Sequence, residues 1–253
     1  MKQSNNTVLI TGGGTGIGLA MATTFLKEGN EVIICGRTKT TLDEAKKQFP
    51  RLKTIVADIA TTEGRENLKS EIANRFPKLN ILVNNAGIYS ITDIFDTNYI
   101  PTLEKELTTN LVAPIALIQQ LMPILEKNSN ATIVNVTTGY VFIPSAQSSS
   151  YSASKSGLRA ITQGLRFNLR HTPIRVVEVI PPAVDTQMNK GKEISLMSTE
   201  LFAKKVFEGL VKNQDEIVIG VSKLGKLLSR LAPKFGFNKM NTDEEKQNKY
   251  SKL

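Results

Sequence analysis

Short apolar runs alternate along this chain with longer segments of helical periodicity, and this alternation constrains the fold more than any other feature. The runs are rich in β-branched residues and begin at Thr7, Glu31, Lys53, Asn80, Ala131, Arg175 and Glu216. Between them, apolar residues recur at helical spacing, as in the stretch from Leu103 to Ile115. Such alternation is typical of a parallel sheet covered by helices on both faces. The sequence therefore predicts one α/β domain, a doubly wound parallel sheet of about seven strands, extending over residues 1–222.

Composition limits the classes of protein that the chain can belong to. Its 253 residues, 40% hydrophobic, are enough for one large buried core. The single Cys35 excludes an internal disulfide framework and a thiolate-rich zinc site, and the single His171, expected in a surface loop, leaves little for imidazole ligation. We expect no metal site. No apolar run has signal-peptide or membrane-spanning length, so we expect a reducing, cytoplasmic location.

The net charge of +9 suggests nucleic acid, anionic lipid or a phosphorylated ligand as partner. The lysines are spread along the chain, with a concentration near the C-terminus, and aromatic residues, at 6%, do not interleave with basic clusters. This pattern is not typical of nucleic-acid binding. We expect no nucleic-acid partner.

The pattern changes after Val221, where leucines and basic residues share a short stretch. Four leucines lie at i, i+3, i+4 and i+7 while three basic side chains take the other faces: Leu224, Leu227, Leu228 and Leu231, with Lys223, Lys226 and Arg230. Pro233 ends the pattern, and the chain is polar from about Thr242. Residues 223–253 are thus predicted to form a basic amphipathic helix and a polar tail. The helix either packs on the subunit or a neighbour, or makes weak contact with an anionic membrane surface.

A glycine-rich loop, "TGGGTGIG", follows the first strand directly and precedes a helical stretch. Its glycines permit a tight turn, a close approach of the backbone to a pyrophosphate, and a helix N-terminus that faces the phosphates. The position between strand and helix argues against an ordinary turn, and a P-loop is excluded because no Lys-Ser or Lys-Thr pair follows. We predict a dinucleotide site formed by Gly12, Gly14, Thr15, Gly16, Ile17 and Gly18.

The end of the second strand predicts which dinucleotide binds. A site for NAD has a carboxylate there for the ribose 2′-hydroxyl, whereas this chain has Arg37, Thr38 and Lys39. A guanidinium suits a 2′-phosphate. The sequence therefore favours NADP(H) over NAD(H).

The segment "YSASK" places Tyr151 and Lys155 four positions apart, on one face if the segment is a helix, where each can alter the proton affinity of the other. Spacing alone does not assign chemistry, because a chain with five tyrosines and many lysines forms such a pair readily by chance. The other motifs must decide.

Taken together, the motifs resemble the short-chain dehydrogenase/reductase family over about residues 5–222. The resemblance rests on the loop Thr11 to Gly18, Asp58, "NNAG" at Asn84 to Gly87, Asn110, "YSASK" and "PPAVDT" at Pro181 to Thr186. The glycine spacing is similar to that of the reductase branch rather than the epimerase branch. "FLKEGNEVIICGR" is most similar to a bacterial subgroup named after the lipoteichoic acid D-alanylation operon. The resemblance implies a Rossmann-like fold.

The resemblance also implies four catalytic roles. Tyr151 would be the general acid that protonates a carbonyl oxygen, and the base in the reverse direction. Lys155 would hold the nicotinamide ribose and, with oxidised nicotinamide, lower the Tyr151 pKa from its ordinary value of about 10. Asn110 would hold a water that links Lys155 to solvent. Thr138, thirteen positions before Tyr151, stands where the family usually has serine. It keeps the hydroxyl but adds a methyl, so we expect an altered rate or substrate range rather than loss of function.

The same resemblance implies the remaining cofactor contacts. They are Asp58 and Ile59 at the adenine, Asn85, Ala86 and Gly87 at the end of the fourth strand, and Pro181, Val184 and Thr186 at the nicotinamide and pyrophosphate. Pro182 stands where the family often has glycine, which stiffens the entry to a substrate lid at about 183–198.

The candidate substrate-lining residues are mostly apolar. They are Tyr89, Tyr140, Val141, Phe142, Ile143, Ala183 and Met188. They favour a small, mostly apolar carbonyl compound or alcohol as substrate of an NADP(H)-dependent oxidoreductase. The alternative is a catalytically weak NADPH-binding sensor or scaffold protein. By family habit, the helices around Leu103 to Leu125 and Tyr151 to Arg170 would pair in a homodimer or homotetramer.

Overall fold

The computed structural model describes residues 1–128, 130–190 and 195–242. In this part, seven strands form one parallel sheet in the order β3-β2-β1-β4-β5-β6-β7. The strands are β1 Thr7–Thr11, β2 Glu31–Gly36, β3 Lys53–Val56, β4 Leu79–Asn84, β5 Thr132–Val136, β6 Arg175–Ile180 and β7 Glu216–Val218. The predicted α/β fold with its seven-stranded parallel sheet is confirmed.

Helices connect the strands and cover the sheet. They are α1 Gly16–Lys27, α2 Lys39–Gln48, α3 Thr62–Arg75, α4 Tyr99–Leu107, α5 Ala113–Leu125, α6 Ser149–Asn168, α7 Thr199–Val211, α8 Ser222–Leu231 and α9 Pro233–Asn241. A π-helical turn, Thr108–Val112, joins α4 to α5, and short 3-10 turns occur at Gly139–Val141, Ala146–Ser148 and Gln187–Asn189.

Two apolar cores explain why the strands are apolar throughout. On β1, Val8 and Ile10 belong to the core that includes Phe25 and Phe202, while Leu9 belongs to the core on the other face. Successive strand side chains point to opposite faces, so a strand covered on both sides is buried at every position. All five residues of β1 are buried accordingly.

The strand order indicates the edge of the sheet at which a ligand would bind. The chain winds from β1 out to β3 and then returns to β4 on the other side of β1. Ligands of open parallel sheets bind at the carboxyl ends of the strands, where the winding reverses. The loops after β1 and β4 carry the glycine-rich segment and "NNAG", so both predicted cofactor segments lie at this edge.

The long helical stretch Tyr99–Leu125 is apolar and long enough to cross a membrane by length and composition alone. Its α5 part supplies Leu117, Leu121 and Leu125, all 0% exposed, to a core of the sheet. We interpret it as a core helix.

The C-terminal segment contains a helix that the sequence pattern missed. The predicted amphipathic helix is present as α8, and Pro233, which ends it, also begins α9. Proline suits the first turn of a helix because its missing N–H would have no helical partner there. The predicted polar tail beyond Thr242 lies outside the described residues, as do positions 191–194 of the predicted lid. The division into 1–222 and 223–253 stays a prediction.

Candidate active site

Tyr151 and Lys155 lie one turn apart on α6 and are both buried, at 8% and 3% exposure. Lys155 Nζ donates a hydrogen bond of 2.9 Å to the main-chain oxygen of Val136, the last residue of β5. This bond fixes the lysine at the carboxyl end of the sheet.

Thr138 follows β5 and faces the same point. Its hydroxyl accepts a hydrogen bond, at 3.4 Å, from the main-chain N–H of Tyr140, and it lies close enough to Tyr151 to act on the pKa of the phenol. The position predicted for the carbonyl-binding hydroxyl therefore lies beside the phenol.

Two aromatic rings enclose the phenol. The Tyr89 ring lies 5.1 Å from the Tyr151 ring and the Tyr140 ring 6.3 Å from it, both nearly perpendicular to it. Edge-to-face geometry of this kind is attractive. Two of the predicted substrate-lining residues thus form the walls around the candidate acid.

Asn110 lies in the π-helical turn and is fully buried. Its Oδ1 accepts from Ile88 N at 2.9 Å, and its Nδ2 donates to Ile88 O at 2.9 Å and to Ser154 Oγ at 3.0 Å. Both amide hydrogens are therefore used, so a bound water would have to donate to Oδ1 or contact the main chain of the turn. The water-holding role stays a prediction, and Ser154 is a partner that spacing did not reveal.

Gly87 brings these elements together. A Cβ built on it would lie 3.2 Å from Asn110 Oδ1 and 3.4 Å from Lys155 Nζ. The loop after β4, the π-helical turn and α6 therefore meet around this glycine. A side chain here would crowd both polar groups.

Burial controls the electrostatics of the pair. It raises the pKa of Tyr151, and the neighbouring Thr138 side chain opposes that rise, while the charges of Tyr140, Glu106 and Tyr89 add to it. Burial also lowers the pKa of Lys155 to about 8. The expected lowering of the Tyr151 pKa by Lys155 is not found in the protein alone. The physical reason is that loss of water around the phenol outweighs every neighbouring group.

The glycine-rich loop has the close contacts that its sequence predicts. Gly12 has φ of +62°, and a Cβ there would lie 2.9 Å from Ala86 Cα. A Cβ on Gly18 would lie 2.2 Å from Gly12 O, so only glycine lets α1 begin this close to the loop. Thr15, before α1, makes no side-chain cap and the first turn has no acid, which leaves the N–H groups of that turn for an anion.

Thr11, at the end of β1, is a structural residue that the sequence interpretation did not single out. Its Oγ1 accepts hydrogen bonds from the N–H groups of Asn85 and Ala86, each at 3.1 Å. The Asn85 amide in turn donates to the main-chain oxygens of Thr11 and Gly12. The Asn85 side chain therefore holds the glycine-rich loop against the end of β4.

The predicted adenine-side residues differ in exposure. Arg37 and Thr38 are exposed at the end of β2, and in the part of the chain that the structure describes Arg37 makes no ion pair. Asp58 Oδ1 accepts from Ala60 N at 3.0 Å. Ile59 is only 5% exposed and belongs to a core of the sheet, which leaves mainly its main chain for a ligand.

The segment after β6 reaches the glycine-rich loop. A Cβ on Gly16 would lie 3.2 Å from Thr186 Cγ2. Val184 is buried and bridges to Met197, which joins the two described ends of the predicted lid. Pro181 O accepts from Ser222 Oγ at 2.9 Å, so α8 begins against this segment.

A buried ion-pair network under the site was not predicted. Arg159, one turn after Lys155, pairs with Glu178 at 2.6 Å and with Glu216 at 2.8 Å. Glu178 is fully buried in the middle of β6 and also accepts from the Thr137 hydroxyl. A charge in an apolar strand was the sequence feature that could have indicated it, because a buried carboxylate requires a partner.

Glu106 is a second buried acid that the sequence interpretation missed. It lies on α4 one turn before Asn110, is 0% exposed, and neither carboxylate oxygen has a hydrogen-bond partner among the described residues. Its charge contributes to the raised pKa of Tyr151. It is therefore part of the electrostatic environment of the site.

Two other chemistries find no support. Burial raises the pKa of the Cys35 thiol to about 12, so it is not a reactive nucleophile. Among the described residues, no group of three or more His, Cys, Asp or Glu side chains could hold a metal ion.

Comparisons with known proteins agree with this geometry. The family model described as short chain dehydrogenase matches residues 6–196. The uncharacterized oxidoreductase DltE of Bacillus subtilis (strain 168) is 41% identical over 224 residues, which cover 86% of this chain and 89% of that protein. An uncharacterized oxidoreductase of Staphylococcus epidermidis is 28% identical over 193 residues, covering 76% of this chain and 84% of that protein. The predicted resemblance to the subgroup is confirmed.

A solved structure has the same fold. The short chain dehydrogenase from Burkholderia cenocepacia J2315 in complex with NADP superposes with a TM-score of 0.85 at 22% identity, covering 96% of this chain and all of that one. The Rossmann-like α/β fold is thereby confirmed. Because the family model spans most of the chain and includes the glycine-rich loop and the Tyr151–Lys155 pair, the chain belongs to the short-chain dehydrogenase/reductase family of oxidoreductases.

Proposed function

We propose that this protein is an NADP(H)-dependent carbonyl reductase or alcohol dehydrogenase acting on a small, mostly apolar compound. The observation that carries the proposal is the position of the Thr138 hydroxyl beside the buried Tyr151 phenol, one turn from Lys155. Two neighbouring hydroxyls can bind one carbonyl oxygen, and one of them can transfer a proton to it.

The residues at the edge of the sheet fit a nicotinamide dinucleotide. The uncapped first turn of α1 and the approach of Gly12 to Ala86 suit a pyrophosphate. The exposed Arg37, with no carboxylate beside it in "CGRTKT", suits a 2′-phosphate, which is the basis for choosing NADP(H) over NAD(H). Lys155 Nζ, next to Gly87, is the group that would hold the ribose hydroxyls.

The chain's own residues divide the chemistry as follows. A bound reduced nicotinamide would supply the hydride to the carbonyl carbon. Thr138 holds the carbonyl oxygen, and Tyr151 gives its proton to that oxygen. The rings of Tyr89 and Tyr140 pack edge to face against the phenol. Lys155 lies one turn from this phenol on α6, and burial lowers its pKa to about 8.

The walls of the site are the basis for the substrate class. Tyr89 and Tyr140 flank the phenol, and the predicted lining residues Val141 and Phe142, both half-buried, are apolar. An apolar wall with a few directed polar groups suits an aliphatic or aromatic carbonyl compound.

The test follows the absorbance of NADPH with a panel of aldehydes, ketones and diketones. We expect turnover with the apolar compounds of the panel. Turnover should be lost in Tyr151→Phe, which keeps the ring and removes the hydroxyl group that gives the proton. Binding of NADPH without turnover across a broad panel would overturn the enzyme and support the sensor or scaffold alternative. Retention of turnover in Tyr151→Phe would remove the phenol from the chemistry.

We also propose a cytoplasmic homodimer or homotetramer that pairs through α5 and α6. Support comes from exposed apolar side chains near and on these helices, Val112 at 52%, Ile161 at 37% and Phe167 at 64%. An isologous contact would bury each of them. Analytical ultracentrifugation should give a mass of two or four chains, and Phe167→Ser should lower it.

A further inference from the structure

Helix α8 packs against the protein with its polar side and presents its leucines outward. Ser222 is 5% exposed and Lys226 forms an ion pair with Glu216 of β7, whereas Leu224, Leu227 and Leu231 are 57%, 53% and 75% exposed. A helix of a soluble domain normally turns its apolar face toward the core. Because of this reversed orientation, we infer that the leucines contact a partner outside the described part of the chain.

Helix α9 extends this outward apolar face. Its Phe235, Phe237 and Met240 are 58%, 43% and 47% exposed. The helix is nevertheless fixed to the body: Asn241 accepts from Ala146 N at 2.7 Å and donates to Pro144 O at 3.0 Å. The exposure therefore belongs to an anchored helix and not to a loose end.

The same two helices carry only positive charge. Between positions 221 and 242 the chain has five basic residues and no acid. Lys226 is paired, and the four exposed ones are Lys223, Arg230, Lys234 and Lys239. Lys239 Nζ lies 5.9 Å from the centre of the Phe235 ring, so cation and apolar side chain are neighbours.

We propose that this surface, defined by Leu224, Leu227, Leu231, Phe235, Phe237 and Met240 with the four exposed cations, docks on an anionic lipid bilayer. Apolar side chains would enter the boundary between headgroups and acyl chains, and the cations would contact lipid phosphates. A second copy of the chain fits less well, since an isologous contact would place the same cations opposite one another.

The inner sides of the same two helices contact a segment of the candidate active site. A Cβ on Gly139 would lie 2.8 Å from Ser222 Oγ, and Gly139 precedes Tyr140. A Cβ on Gly236 of α9 would lie 3.0 Å from Ile143 Cδ1. Helices α8 and α9 would therefore lie between a bound bilayer and the segment that carries Tyr140.

The experiment measures sedimentation of the full chain with sucrose-loaded vesicles of phosphatidylcholine alone, or of phosphatidylcholine mixed with phosphatidylglycerol. We expect binding to the mixed vesicles only, reversed by high salt. Two variants should each weaken it at least about tenfold: Leu224→Ser/Leu227→Ser/Leu231→Ser and Lys234→Glu/Lys239→Glu. The matched control is Lys46→Glu/Lys47→Glu, which reverses two exposed charges on α2 and should bind like the parent.

Circular dichroism and NADPH binding test whether each variant is folded. Both measurements are independent of the vesicle experiment. Absence of sedimentation with either vesicle overturns the proposal. If the α2 control loses as much vesicle binding as the α9 charge variant, net charge rather than this surface causes the binding. That result also overturns the proposal. A lower oligomeric mass in the leucine variant, with no lipid binding by the parent, assigns the surface to a second copy instead.

Discussion

The Lys155 ammonium donates to the main-chain oxygen of Val136 at 2.9 Å, while 97% of the lysine surface is withdrawn from water (3% exposed). This single bond replaces the hydration of a full charge. Burial accordingly lowers the Lys155 pKa to about 8 from its ordinary 10.5. The lysine to which the proposed function assigns the ribose hydroxyls is therefore one that destabilises the folded protein when it is protonated.

Replacing Lys155 with Met should change how stability depends on pH in the nucleotide-free protein. Between pH 8 and 10.5 the unfolded lysine holds more protons than the folded one, so this group makes the parent more stable as pH rises. We therefore compare the free energy of unfolding of Lys155→Met with that of the parent at each pH. The difference, variant minus parent, should be up to about 3 kcal/mol more positive at pH 7 than at pH 10.5. Urea unfolding at the two pH values measures this, and a pH-independent difference would contradict it.

Glu106→Gln should shift the pH profile of alcohol oxidation to lower pH. Burial is the main cause of the raised Tyr151 pKa, but the Glu106 charge adds to it, and glutamine removes that charge at similar volume. The control is Glu104→Gln, an exposed acid on the same helix. Identical profiles for the Glu106 variant and the parent would show that Glu106 exerts no charge on the phenol.

Arg37→Glu should weaken NADPH binding by about tenfold or more and leave NADH binding nearly unchanged or improved, because a charge-assisted contact to the 2′-phosphate becomes a repulsion. Fluorescence titration with both nucleotides measures it. Lys39→Gln, at an exposed residue that pairs with Asp43, is the control and should have a smaller effect. If the parent binds NADH as tightly as NADPH, Arg37 does not contact a phosphate.

Thr138→Val should lower turnover about a hundredfold while NADPH affinity stays constant, since valine keeps the shape and removes the hydroxyl that lies beside Tyr151. Thr138→Ser should retain activity and can accept larger substrates, because it removes only the methyl. Steady-state kinetics of both variants separates the hydroxyl from the methyl. Unchanged turnover in the valine variant would remove Thr138 from the mechanism.

Arg159→Met should destabilise the fold by about 3–5 kcal/mol, because it leaves the fully buried Glu178 carboxylate without its cation. Arg75→Met is the matched control: its partner Glu71 is on the same helix and both are solvent-exposed, so we expect less than about 1 kcal/mol. Denaturant unfolding compares the two, and equal losses would contradict the role of the buried network.

The sequence was sufficient for the fold class because the periodicities that define it are local. The run Thr7–Thr11, the glycines that follow and the helical stretch after them predict a strand, a tight turn and a helix, and the structure has these, with Gly12 at a positive φ and Gly18 in a close contact. The Tyr151–Lys155 pair could be placed on one helix face for the same reason. These features depend on residues close together along the chain.

Tertiary structure alone decided the features that depend on distant residues. The pairing of Arg159 with Glu178, the burial of Glu106 near Tyr151 and the use of the Asn110 amide by Ile88 and Ser154 all join separate elements. The pattern of α8 predicted an apolar face but could not tell which way it points; the small and polar side packs inward, and the leucines remain outside. Periodicity reports that a helix has two faces, whereas the choice between them is made by the rest of the protein.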